Sequence, residues 1–98
     1  MENIAKLLNK ETTTVIDVRS QWEYEEEHWP GAVLIPLEEV VLRAPEIRQM
    51  PGAKLLYCRS GNRSGMAQRL LQHLGVTEVH NAGGLYDLQM LQNRHQYV

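Results

Sequence analysis

The sequence predicts a three-layer α/β fold in which a small parallel sheet is covered by helices on both faces. Three observations support this prediction. Strand-like and helix-like segments alternate along the chain, the strand-like segments are short and apolar, and only short polar turns separate them. The 98 residues are enough for a single domain, residues 1–98, and too few for a second one.

The first third of the chain is predicted to contain two helices and two strands. Apolar residues at helical spacing indicate a short helix at residues 4–8. The β-branched run at residues 13–18 is typical of a strand that is buried on both faces. Ser20 is suited to cap an acidic helix, which the turn at residues 28–31 ends. Residues 32–35 form the second predicted strand.

The middle of the chain is predicted to contain a helical region, a strand and a long helix. Residues 37–50 form one or two helical pieces, interrupted near Pro45 because the residue before proline disfavours helix. Residues 53–58 form the third strand. A helix then begins at Ser64 and is capped by Gly75 at its C-terminal end. Its predicted apolar face consists of Met66, Ala67, Leu70, Leu71 and Leu74.

The last quarter of the chain completes the alternation. Residues 78–81 are predicted as a fourth, shorter strand, and residues 82–84 as a turn. Apolar residues from Leu85 onwards indicate a final helix. In a parallel sheet of this kind, ligands bind beyond the carboxyl ends of the strands, and Cys58 stands at such an end.

The composition excludes several classes of function. Ten basic and twelve acidic residues give a net charge of −2, which does not favour binding to nucleic acid or to an anionic membrane. No apolar run approaches the roughly 20 residues that a membrane-spanning helix needs. The single cysteine excludes an internal disulfide and an all-cysteine metal site.

The N-terminal residues and the lone cysteine together suggest a compartment. The first residues lack the charged and then apolar pattern of a signal peptide. A reactive thiol without a partner also suits a reducing environment. We therefore expect a cytoplasmic protein, or a periplasmic one if a signal peptide has been removed from this chain.

The strongest chemical signal is the loop that follows the third predicted strand. Its sequence is Cys58-Arg59-Ser60-Gly61-Asn62-Arg63, and a helix start at Ser64 comes directly after it. Unpaired amides at the helix start, an amide nest around Gly61 and two arginines should all lower the pKa of the Cys58 thiol. The same loop is suited to bind a small oxyanion such as thiosulfate, phosphate or arsenate.

A second interpretation treats Cys58 as a small buried apolar residue, which is the usual role of a free cysteine. A structural cysteine, however, has no need of two arginines, a glycine and a helix start within the next six positions. We therefore favour a nucleophilic thiolate.

Three landmarks in a fixed order make the chain similar to the rhodanese-like sulfurtransferases. They are Asp17-Val18-Arg19 with Glu23 and His28-Trp29-Pro30-Gly31-Ala32, then the loop at residues 58–63, and then Asn81-Ala82-Gly83-Gly84. The resemblance covers about residues 15–88. Within this family, the chain particularly resembles the small single-domain bacterial rhodaneses of the phage shock protein E type.

The resemblance implies transfer of a sulfane sulfur through a Cys58 persulfide. The thiolate would attack the outer sulfur of thiosulfate and release sulfite. Cyanide or a thiol, including that of a thioredoxin-like protein, would then accept the sulfur. No metal or organic cofactor is expected to take part. The residues expected to bind the donor are Arg59, Ser60, Gly61, Asn62 and Arg63.

Two other classes of function are weighed against sulfur transfer. Phosphatases and arsenate reductases of related fold use a C-x5-R loop, whereas this chain has the shorter C-x4-R, which favours sulfur transfer. Regulatory or binding modules of the family commonly lack the loop cysteine, which is present here as Cys58. A persulfide carrier that passes sulfur to a protein acceptor is not distinguished from an enzyme by the sequence.

Several residues near the landmarks are expected to have structural roles. Asp17 and Arg19 are predicted to form a structural ion pair or loop hydrogen bonds at the end of the first strand. An alternative role for Arg19 is to add charge near the mouth of the pocket. Glu23 is predicted to brace the turn at His28, and His28 to act as a structural hydrogen-bonding group. The glycines at residues 83–84 are predicted to let the chain pass close to the active loop.

Overall fold

The computed structural model describes the backbone of residues 3–96 and the side chains of residues 3–92. The strands are β1 (Thr14–Asp17), β2 (Val33–Leu34), β3 (Lys54–Cys58) and β4 (Val79–Gly84). The helices are α1 (Ile4–Leu8), α2 (Gln21–Glu26), α3 (Ala44–Arg48), α4 (Asn62–His73) and α5 (Leu85–Gln96), with a 3-10 turn at Leu37–Glu39. Across residues 3–96, no helix has both the length and the apolar composition needed to cross a membrane.

The strands form a parallel sheet in the order β2-β1-β3-β4. Asp17 at the end of β1 pairs with Tyr57, and Cys58 at the end of β3 pairs with Gly84 of β4. Because the strands are parallel, their carboxyl ends meet at one edge of the sheet. This edge carries Cys58.

The side chains of β3 alternate between the two faces of the sheet. Leu56 and Cys58 belong to an apolar cluster that includes residues of α3 and α4. Leu55 and Tyr57 belong to a second cluster that includes residues of α1 and α5. Two apolar clusters on opposite faces confirm the predicted three-layer α/β fold.

Helix α4 differs from its prediction in its start and in its buried face. It begins at Asn62, two residues before Ser64, because Gly61 already turns the chain. Three residues predicted to face the core, Met66, Leu70 and Leu74, are 36% to 48% exposed. The buried residues of this helix are Ser64, Gly65, Ala67 and Leu71. Small side chains thus form most of the contact, which lets the helix lie close to the sheet and turns the larger side chains outwards.

A proline begins helix α3 and a glycine ends helix α4. Pro45 lies in the first turn of α3, where it does not interrupt a helix but helps to begin one. The predicted interruption therefore falls earlier, between the 3-10 turn and α3. At the other end of α4, Gly75 has φ +85° and its N–H donates to the Gln72 carbonyl, as expected for a C-terminal cap.

The prediction of a turn at residues 82–84 is wrong. These residues continue β4, which has one extra residue relative to β3 between the pairs Leu56–Asn81 and Cys58–Gly84. Gly83 takes φ +88° within this bulge. The double glycine therefore marks an irregular strand that bends towards the loop after β3.

Candidate active site

The Cys58 sulfur lies under the N-terminus of the 12-residue helix α4. The N-cap residue, Gly61, has φ +99° and offers no capping side chain. The sulfur accepts a hydrogen bond from the Gly61 N–H at 3.0 Å and another from the Ser64 N–H at 3.4 Å. It therefore occupies the place of a capping side chain, at the positive end of the helix dipole.

This environment lowers the pKa of the Cys58 thiol. Burial is the largest single influence and acts in the opposite direction, because it disfavours the charged thiolate. Hydrogen bonds from the Ser64 hydroxyl and from the amides of Ser64, Gly61 and Ser60 together outweigh it. The site is thus built to stabilise an anionic sulfur, as a nucleophilic cysteine requires.

The predicted donor-binding residues are distributed unevenly around this sulfur. The Gly61 amide is directed at it, and Arg63 is close enough to interact with its charge. The side chains of Arg59, Ser60 and Asn62 are exposed at the surface of the loop. The structure therefore brings backbone amides to the sulfur and places most of the polar side chains at its rim.

Arg63 is held by a carboxylate from another helix. Its guanidinium donates to Glu23 Oε1 at 2.8 Å and to Oε2 at 3.0 Å. The hydrogen bond from Arg63 is the largest of the influences that lower the pKa of Glu23 to about 2. The prediction that Glu23 braces the turn at His28 is wrong, because its carboxylate ties α2 to α4. His28 lies 3.7 Å from the Tyr24 ring, centroid to centroid, and contacts the Tyr24 carbonyl through Nδ1.

An open cleft of about 350 Å³ adjoins the loop. It is lined by Arg19, Trp22, Glu23, Glu26, Glu27 and Arg59. Trp22 is 63% exposed and so forms part of the rim. The cleft carries charge of both signs, and Arg59 is the cationic side chain that the active loop contributes to it.

Sequence reasoning missed two polar residues next to the sulfur. Ser64 Oγ lies 3.4 Å from Cys58 Sγ and donates to Asn81 Oδ1 at 2.7 Å. Ser64 directly follows the loop, and this position at the predicted helix start is the feature of the sequence that indicates contact with the sulfur. Asn81 stands in the sequence only as part of the third landmark, because it reaches the site through the pairing of β4 with β3.

A buried polar network supports the edge of the sheet beneath the loop. The Asp17 carboxylate accepts from Arg19 Nη2 at 2.7 Å and from the Tyr57 hydroxyl at 2.7 Å. The Tyr57 hydroxyl in turn accepts from the Trp29 N–H at 3.0 Å. Asp17 is fully buried and Arg19 nearly so, in agreement with the predicted structural ion pair. Because Tyr57 precedes Cys58, this network fixes the end of β3.

Gly84 lies so close to the loop that alanine is not expected to fit. A Cβ atom at this position would overlap the Arg59 carbonyl oxygen, which is part of the loop backbone. We expect Gly84→Ala to displace the loop and to reduce the sulfur transfer that the sequence predicts by about a hundredfold, an effect that misplacing reacting groups by about 1 Å can have. The measurement is thiocyanate formation from thiosulfate and cyanide per folded molecule.

The matched control for Gly84→Ala is Gly52→Ala. Gly52 also faces a backbone carbonyl, that of Thr12, but it lies before β3, at the opposite edge of the sheet. We expect Gly52→Ala to cost stability, by about 1–3 kcal/mol, while activity per folded molecule is retained. Equal losses of activity in the two variants would mean that the close approach at Gly84 has no special connection with the loop.

Comparison with known proteins finds similarity to the rhodanese-like family. Residues 1–90 match a family model described as "Rhodanese-like domain". The chain is 43% identical over 76 residues to the thiosulfate sulfurtransferase PspE of Escherichia coli, a match that covers 76% of this chain and 73% of that protein. It is 41% identical over 76 residues to the putative sulfur carrier protein YrkF of Bacillus subtilis, and this match covers 78% of this chain and 40% of that protein.

Solved structures show the same similarity. A rhodanese from E. coli, determined with anions, has a TM-score of 0.70 and 42% identity, over 76% of this chain and 89% of that one. The human single-domain sulfurtransferase TSTD1 has a TM-score of 0.71 and 25% identity, over 89% of each chain.

Proposed function

The chain belongs to the rhodanese-like family, as its sequence motifs predict, and on this basis we propose that it is a thiosulfate sulfurtransferase acting through a persulfide on Cys58. One observation carries the proposal. The sulfur accepts hydrogen bonds from two backbone N–H groups at the N-terminus of α4, and these hydrogen bonds stabilise an anion at that position. Both the thiolate and the persulfide that would replace it are anions.

The reaction proceeds in two displacements. The Cys58 thiolate attacks the outer sulfur of thiosulfate, a new S–S bond forms, and the S–S bond of thiosulfate breaks. The electron pair of that bond leaves with sulfite, so the enzyme retains a persulfide with one negative charge. Cyanide then attacks the terminal sulfur, thiocyanate leaves, and the thiolate is restored. No proton transfer is needed in either step, which explains why a general base is not required.

The loop residues have separate roles in this proposal. The amides of Ser60, Gly61 and Ser64 stabilise negative charge on the sulfur, and Arg59 in the adjoining cleft attracts the sulfonate of the donor. Arg63, held by Glu23, contributes its charge from a fixed position. The chemistry needs no metal or organic cofactor.

A second candidate function is that of a persulfide carrier. The YrkF relative is named as a putative sulfur carrier, which favours passage of the sulfur to a protein thiol. A thioredoxin-like protein in a reducing cytoplasm has suitable chemistry as an acceptor. Both functions use the same Cys58 persulfide and differ only in the molecule that discharges it.

Steady-state assays test the proposed reaction against the phosphatase alternative. We expect the protein to form thiocyanate from thiosulfate and cyanide, with saturation in thiosulfate, and to leave p-nitrophenyl phosphate intact. The shorter C-x4-R loop supports this expectation. Hydrolysis of the phosphate ester without thiocyanate formation would replace the proposed function by the phosphatase one.

A further inference from the structure

The Asn81 side chain is fixed in one orientation beside the active sulfur. Its Nδ2 donates to the Gly61 carbonyl at 3.0 Å, and its Oδ1 accepts from the Gly83 N–H at 2.9 Å. An amide rotated by 180° would place donor against donor and acceptor against acceptor at these two contacts. Oδ1 must therefore be the atom that faces Ser64.

Ser64 has one hydroxyl hydrogen and three acceptors within reach of it. Asn81 Oδ1 lies 2.7 Å from Ser64 Oγ, whereas Cys58 Sγ and the Gly83 carbonyl oxygen each lie 3.4 Å away. A hydroxyl is a single donor, and an amide oxygen at 2.7 Å is a stronger acceptor than the sulfur of a neutral thiol. The hydrogen therefore points to Asn81, and Ser64 presents lone pairs to the sulfur. This arrangement suits an S–H group, which can donate to those lone pairs.

An anionic sulfur requires the opposite orientation. The lone pairs of Ser64 would repel a thiolate, whereas its hydrogen would stabilise one. Rotation about the Cβ–Oγ bond of Ser64 is enough to move the hydrogen from Asn81 Oδ1 to the sulfur. Asn81 and the sulfur thus compete for the same hydrogen.

We propose that Asn81 is a positioning residue that holds the Ser64 hydroxyl hydrogen while Cys58 is protonated and yields it to the sulfur when the thiolate or persulfide forms. In this step the Cys58 S–H bond breaks and its proton passes to water. The hydroxyl of Ser64 rotates, and no other covalent bond changes. The inference rests on the proposed function of Cys58 as the nucleophile.

Other charged groups near the sulfur remain the same in the variants that test this proposal. Arg63 on α4 interacts with the sulfur and is paired with Glu23 of α2. Asp17, the last residue of β1, forms an ion pair with Arg19, and β1 lies next to β3. Further groups at this edge are Arg59 in the loop and Asp87 on α5, which accepts from the Gly84 N–H.

A double-mutant cycle on the pH dependence of Cys58 alkylation tests the proposal. The four proteins are the parent, Ser64→Ala, Asn81→Ala and the double variant, and the rate with iodoacetamide gives the pKa of the thiol in each. We expect Ser64→Ala to raise this pKa, because the sulfur loses a donor. Removal of Asn81 loosens the loop in both backgrounds, but only with Ser64 present does it also release a hydrogen. The thiolate receives this hydrogen in preference to the Gly83 carbonyl oxygen, because a hydrogen bond to a charged acceptor is the stronger one.

The cycle separates these two effects of Asn81→Ala. The quantity compared is the factor by which Asn81→Ala increases the acid dissociation constant of the thiol. We expect this factor to be about threefold or more larger when Ser64 is present than in the Ser64→Ala background. Equal shifts in the two backgrounds would overturn the proposal. Gln68→Ala is the matched control, since the Gln68 amide also links α4 to β4, by donating to the Val79 carbonyl at 3.1 Å. It should leave the pKa of the thiol unchanged.

A second variant keeps the test decisive if Asn81→Ala fails to fold. Asn81→Asp retains an acceptor for Ser64 and binds its hydrogen more strongly, so it should raise the thiol pKa more when Ser64 is present than in the Ser64→Ala background. An equal rise in both backgrounds would overturn the proposal. Alkylation needs no sulfur donor, so this result is independent of whether thiosulfate is the substrate.

Discussion

Replacement of Cys58 by serine is expected to reduce sulfur transfer by more than about a thousandfold, because no other side chain can carry the sulfur. Cys58 is the only cysteine in the chain. The serine oxygen can still accept the Gly61 and Ser64 N–H groups, so we expect the fold and the start of α4 to be preserved. The measurements are kcat/KM for thiocyanate formation and the midpoint of thermal unfolding.

The two measurements on Cys58→Ser must be read together. Loss of activity with an unfolding midpoint within a few degrees of the parent assigns the chemistry to the sulfur. A variant that keeps a tenth or more of the parental activity would contradict a covalent role for Cys58.

The substitution Asp17→Ala is expected to have the largest effect on stability. It removes the acceptor of both Arg19 and Tyr57 and leaves a guanidinium buried without a counterion. Breaking a buried pair in this way costs about 3–5 kcal/mol, which is a large part of the stability of a domain this small. Urea unfolding monitored by circular dichroism gives the change in free energy.

An exposed ion pair provides the control for Asp17→Ala. Glu46 accepts from Arg43 at 2.9 Å, the Glu46 side chain is half exposed, and Arg43 keeps a second carboxylate partner in Glu39. We expect Glu46→Ala to leave the unfolding midpoint nearly unchanged, since water replaces the lost partner. If the two variants were equally stable, the network of Asp17, Arg19 and Tyr57 would not be the support of β3 that its burial indicates.

The position of the Cys58 sulfur at a helix N-terminus could be predicted because the residues that create it are contiguous in the sequence. The nucleophile, the glycine of the loop and the helix start fall within seven positions, residues 58–64. A strand that ends in such a loop places the sulfur at a helix N-terminus by local geometry alone. The partners from other elements were harder to find. Glu23 reaches Arg63 across 40 positions of sequence, and Asn81 reaches Ser64 across 17.

Two errors in the predicted fold have the same physical origin. The spacing of Met66, Leu70 and Leu74 indicates a buried face, yet the core selects the small residues on the other side of α4. The double glycine at residues 83–84 is typical of a turn, yet it permits a bulged strand to approach the loop. In both places small residues let one element lie close to its neighbour, and hydrophobic periodicity does not indicate such contacts.

Intact mass spectrometry after brief exposure to thiosulfate tests the central claim most directly. A persulfide on Cys58 predicts a gain of the mass of one sulfur atom, reversal of that gain by cyanide, and no gain in Cys58→Ser. Absence of any gain, in a protein whose Cys58 still reacts with iodoacetamide, would contradict sulfur transfer from thiosulfate.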